Sequence, residues 1–168
     1  GSARFVRFDI VENHGNPDFA GLAEVEFFGI QTADPAGDTI AGATVLDFSS
    51  RFNASFGPDN TLDRSGITEP SNEHDDDAAN MWVTASGDTT PEVTYDLGDV
   101  FELTSLRLWN YNEVTDRGAA TVDVYVASTL DINGDPVFDA TADLTLNPVE
   151  ASGTDVEDGE LFDFTGLT

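Results

Sequence analysis

Apolar residues in this chain recur at every second position in short runs, and no stretch carries a convincing helical spacing. In Arg4-Phe5-Val6-Arg7-Phe8-Asp9-Ile10, the residues Val6, Phe8 and Ile10 fall on one face, with Arg7 and Asp9 on the other. That is the pattern of a half-buried strand. The same reading predicts strands at 22–30, 44–48, 81–84, 91–97, 103–110, 120–127, 137–144 and 161–164. Between them lie clusters such as Gly57-Pro58-Asp59-Asn60 and Asn133-Gly134-Asp135-Pro136. These residues set or tolerate the backbone angles of turns and therefore end strands. Short strands at this spacing predict an all-β sandwich.

A chain of 168 residues is expected to form one domain with one core, and twelve Phe and two Trp supply side chains large enough to fill it. The stretch 31–43, rich in Asp, Gly, Ala and Thr and lacking apolar periodicity, reads as a linker. A second polar stretch covers 147–158. Residues 1–30 are too few to bury their own apolar face, so they are expected to add strands to a body at 44–168.

Thirty-three acidic residues face six basic ones, giving a net charge of −27. All six are Arg; Lys is absent. Such a field repels phosphate backbones and anionic lipid, which argues against nucleic acid and membrane surface as partners and makes cations natural ligands. A solvated acidic shell also suits a marine or halophilic source, where salt screens the self-repulsion. Without Cys, neither disulfides nor thiolate chemistry exist. No apolar run approaches the roughly 20 residues that span a bilayer. The opening Gly1-Ser2-Ala3 is not a basic-then-apolar signal region, so any export signal is expected to have been removed, and Gly1-Ser2 reads as a cloning scar.

The segment PEVTYDLGDVFELTSLRLWNYNEVTDRGAATVDVYVAS at 91–128, with Ser65-Gly66-Ile67, His74 and Met81-Trp82 before it, resembles the discoidin or coagulation-factor C-domain superfamily. That galactose-binding-like fold is a jelly-roll β-sandwich, widely used in secreted carbohydrate-binding modules. The segment ARFVRFDIVENHGNPDFAGLAEVEFFG at 3–29 resembles the closing strands of the same family, yet here it comes first. The run LFDFTGLT at 161–168 resembles what usually precedes them. Two arrangements fit this inverted order. The domain is either circularly permuted, or it is a unit of an array in which closing strands pass between neighbouring copies.

The resemblance implies a structural cation where an early loop meets the closing strand. By position, Asp63 would supply a carboxylate, Asn60 and Ser65 carbonyls, and Thr68 its hydroxyl or carbonyl. From the closing segment would come the Ala23 carbonyl and the Glu24 carboxylate. This all-oxygen set suits Ca2+. Arg64 departs from the family, which usually has Gly there. The run Glu73-His74-Asp75-Asp76-Asp77 lacks the spaced oxygens of a calcium loop and reads as a solvated turn.

Aromatic rings beside amides and an Arg are the chemistry of sugar recognition. They cluster at Trp109, Asn110, Tyr111, Asn112, Glu113 and Arg117, with His74 as an added member. A competing reading gives the two Asn residues a turn-closing role and pairs Arg117 with an acid. Trp82 is expected in the core and His14 on the surface. No nucleophile elbow, phosphate loop or zinc-binding His pair is present, so no catalytic residues are expected. The expected function is a non-catalytic, calcium-dependent extracellular module binding a polysaccharide or glycoconjugate. The alternative is a structural repeat or subunit of a surface fibre or adhesin contacting copies of itself.

Overall fold

The computed structural model describes residues 1–31, 34–154, 156–164 and 167, with backbone only for 34–38. The strands are β1 (Ser2–Asn13), β2 (Gly21–Gln31), β3 (Asp34–Thr39), β4 (Thr44–Phe48), β5 (Ile67–Thr68) and β6 (Glu73–His74). They continue with β7 (Trp82–Val83), β8 (Glu92–Asn110), β9 (Ala119–Ala127), β10 (Leu144–Leu146), β11 (Glu157–Asp158) and β12 (Glu160–Asp163). Three 3-10 turns join them, and no α-helix occurs among the described residues. None of the described helical segments is long and apolar enough to cross a membrane.

The nineteen-residue β8 organises the fold. Along one edge it pairs with β12 at residues 105–108 and then with β1 from Glu102 to Glu92. Along the other edge it pairs with β2 at 101–110 and then with β4 at 93–96. Every one of these pairings is antiparallel. Strands β9 and β10 extend the sheet beyond β1, while β3 and β7 pair with β2. Gly98, at φ +84°, sits between the two halves of β8, in a region that L side chains adopt only at a cost.

Rings from the two halves meet, which folds the sheet into a sandwich. Phe8 of β1 lies 5.5 Å from Tyr95 in the first half of β8, and Tyr95 lies 5.4 Å from Phe27 of β2. Val6, Ile10, Val25, Leu106 and Leu108 complete this core, as the alternation predicts. Trp82 is fully buried with them, its Nε1–H donating to the Ser50 carbonyl at 3.0 Å. The segment 3–29 therefore completes the sandwich within its own chain: β1 lies between β8 and β9, and β2 lies against β8. Gly1 reaches the far end, where a Cβ added to it would stand 2.8 Å from the Leu167 carbonyl oxygen.

Five expectations are corrected. Strands predicted at 91–97 and 103–110 are one strand, since β8 continues through the Gly98 bend. The supposed linker contains β3, an edge strand folded back on β2; residues 32 and 33 of it lie outside the described residues. The predicted strand at 137–144 is a loop except at Leu144, and Phe138 stacks on the Arg7 guanidinium at 4.9 Å. The run 73–77, read as a solvated turn, opens with β6, where His74 is fully buried, in a separate small sheet, β11–β6–β5, to which the polar stretch at 147–158, residue 155 not being described, contributes β11.

Candidate functional site

Glu24 stands at an irregularity in β2. Its register with β8 shifts between Leu22 and Glu24, a bulge that re-aims side chains and frees backbone groups from the ladder. Leu22 and Val25 still face the core, Ala23 packs in a second cluster around Trp109 and Tyr111, and Glu24 is fully buried. Neither carboxylate oxygen has a hydrogen-bond partner of normal geometry. Burial first, and the neighbouring Asp63 charge second, push its pKa up to about 8; the Arg64 and Val25 N–H groups offset only part of this. A buried, unpartnered carboxylate beside a second acid is costly unless a proton or a cation neutralises it.

The facing loop is built by the 3-10 turn Pro58–Thr61, which packs against β2. Asn60 anchors it by donating Nδ2–H to the Ser55, Ala79 and Met81 carbonyls at 3.0, 3.0 and 2.9 Å. Asp63 accepts the Ser65 N–H at 2.8 Å, and the Ser65 hydroxyl is buried without a partner. Thr68 stands further along, in β5, with its carbonyl accepting from the Asn72 N–H at 2.9 Å. The structure thus brings Glu24, Asp63 and Arg64 to one place, while Thr68 belongs to the small sheet. Among the described residues no group of three or more His, Asp or Glu could hold a metal ion, so a cation here would rest on two carboxylates and backbone carbonyls. The orphaned oxygens of Glu24 fit a hard cation.

The predicted sugar-binding cluster divides in two. Trp109, Tyr111, Asn112 and His74 have no exposed surface, and Asn110 has almost none. His74 belongs to the small sheet itself, and Trp109 and Asn112 are bonded to the loops beside it, so neither Trp109 nor Tyr111 offers a ring face to a sugar. Trp109 Nε1–H donates to the Asn72 carbonyl at 3.0 Å, and His74 Nδ1–H donates to the Asp75 carbonyl at 2.8 Å. Asn112 bridges the Asp75 and Thr154 carbonyls to the Gly153 N–H. Asn110 donates to the Ala119 and Val149 carbonyls and accepts the Ala119 and Tyr111 N–H groups. With all four bonds made, Asn110→Ala is expected to leave buried backbone groups unpaired and to cost about 2–4 kcal/mol. Thermal melts would show this as a fall of several degrees; an unchanged melting temperature would contradict the pinning role.

Glu113 and Arg117 remain accessible, and they border a different surface. Three loops converge there: the β1–β2 turn with Phe19, the segment after β4 with Phe52 and Phe56, and the β8–β9 loop. They enclose a cavity of about 240 Å³. Phe52, 56% exposed, meets Phe19 at 6.1 Å and Phe56 at 5.9 Å, both edge-on. The Arg117 guanidinium lies 4.8 Å over Phe19 and donates to Glu113 Oε2 at 3.2 Å. The Tyr111 hydroxyl donates to the same oxygen at 3.1 Å, and burial followed by the Glu113 charge pushes it up to about 12. Isolated Phe residues in loops carry no periodic signal, so sequence reasoning missed these rings; their only mark is three Phe residues in turn-rich segments.

The fold and these sites define an all-β, antiparallel, sandwich-forming protein. Comparison with protein-family models, with curated proteins and with solved structures finds no match to this chain.

Proposed function

We propose that this protein is a non-catalytic, secreted carbohydrate-binding module of discoidin-like, jelly-roll type, stabilised by calcium. The observation that carries the reading is the ring-lined cavity between three loops. The exposed Phe52 ring, backed by the partly buried Phe19 and Phe56 and next to an Arg–Glu pair, offers a stacking face together with hydroxyl-matched donors and acceptors. The net charge of −27 favours a neutral glycan over a sulfated or uronic one.

Calcium would rest on the Glu24 and Asp63 carboxylates with carbonyls from Ala23 and the Asn60–Ser65 loop. It would supply the positive charge that the buried Glu24 lacks. Polysaccharide titrations test the binding role. Phe52→Ala and Arg117→Ala should each weaken binding about tenfold or more, as expected for a stacked ring or a fixed donor. Phe52 is half exposed in a loop, so its removal should leave the melting temperature close to the parent's. Unaltered affinity in both variants would remove this cavity from the reading.

A further inference from the structure

The loop that would hold the cation carries a positive charge of its own. Arg64 follows Asp63 with φ at +59°, the left-handed region where a side chain other than glycine is strained. Its guanidinium forms ion pairs with Glu26 and Glu69 and donates to Asn72 Oδ1 at 3.1 Å. Glu26 lies two residues along β2 from Glu24, is nearly buried, and receives Arg107 at only 3.7 Å. Arg64, Glu24 and Glu26 line one cavity of about 440 Å³. One side chain therefore ties the loop to β2 through Glu26 while setting a positive charge in the cavity that Glu24 also lines.

We propose that Arg64 is a tethered counter-ion for this pocket: it holds the calcium-free loop against β2 and, by repulsion, weakens the binding of a divalent cation. The inference rests on the calcium reading of Glu24 and Asp63. Like charges lining one pocket repel, and with the Arg64 side chain 39% exposed, solvent screens part of the field but not all of it. Removing one leaves the carboxylates to the metal alone. The calcium-free protein then loses the ion pairs that tie residues 64, 26 and 69 together, and leaving Glu26 without a full partner is itself destabilising.

Calorimetric titration with calcium chloride, paired with melts in chelator, tests this on the full chain. Arg64→Gln removes the charge, and Arg64→Lys retains it. Arg64→Gln should bind calcium about tenfold more tightly yet melt several degrees lower without it, with Arg64→Lys close to the parent on both counts. In about 1 M salt the affinity gap should narrow, which a purely steric role for Arg64 would not produce. If the parent binds calcium, Glu24→Gln does not, and Arg64→Gln leaves the affinity unchanged or weaker, the counter-ion role is overturned and the site stands. If neither the parent nor Arg64→Gln takes up calcium, the site and this inference fall together.

Discussion

At pH 8, chelating calcium is expected to lower the melting temperature by about 5–10 °C, and Glu24→Gln is expected to abolish the response. A ligand that binds only the native state adds about 2.7 kcal/mol at a hundredfold excess over its Kd. A domain of this size shifts by about 2–4 °C per kcal/mol. The effect depends on pH because of Glu24, whose pKa rises on folding from 4.5 to about 8 through burial and then the Asp63 charge. Between those values the calcium-free native state holds a proton that the unfolded chain has released. Its contribution to stability is fully present below pH 4.5 and is lost as pH rises through about 8. Calcium competes with that proton, so its affinity should climb by up to about tenfold per pH unit and level off above pH 8. Melts at pH 5, 6.5 and 8, with calcium or chelator, should therefore diverge as pH rises. Other acids also titrate: Arg4 holds Asp96 below its ordinary value, and burial raises Asp9. The difference between parent and Glu24→Gln isolates Glu24. Parallel parent curves with and without chelator would eliminate the cation site.

Why some of this was legible in the sequence and some was not follows from the reach of each signal. Alternation marks a strand only where one face is buried and the strand is long enough to repeat, which holds for β1 and β9. The two-residue strands β5, β6 and β11 have no period to read. Edge strand β3, Asp-Pro-Ala-Gly-Asp-Thr, looks like a turn-rich linker because its sequence has no alternating apolar face; it is a strand by backbone pairing with the β2 strand just before it. That Glu24 and Asp63 come together is implied by the family resemblance of their two segments, whereas the bulge that buries Glu24 depends on register with β8 and leaves no local mark. The Trp109–Asn112 run has the composition of a binding loop. The sequence does not show that the small sheet and loops lie over it, which turns the same amides into backbone anchors.

The inverted order of the motifs leads to the second large effect, a contrast between cutting the chain and reconnecting it. A chain beginning near Thr39 lacks β1 and β2, and with them Phe8, Phe27 and the strands on both edges of β8. It should aggregate or fail to fold, since β8 and β9 would expose long apolar edges. A permuted chain keeps every strand. Strands β12 and β1 already lie end to end along one edge of β8, Asp163 opposite Ser105 and Ser2 opposite Glu102, with Leu167 beside Gly1. A short Gly-Ser linker joining the two ends therefore spans little distance. New termini between Ala41 and Gly42 fall in an exposed turn, where Gly42 has φ +85° and open space around it. Loop-closure entropy changes slowly with length, so the permuted protein should melt within a few degrees of the parent and still bind calcium. Size exclusion, circular dichroism and calcium titration would separate the outcomes. A truncated chain that stays monomeric, melts cooperatively and still responds to calcium would assign the first thirty residues to another unit. A permuted chain that fails to fold would show that the path from β12 to β1 cannot be closed within one molecule.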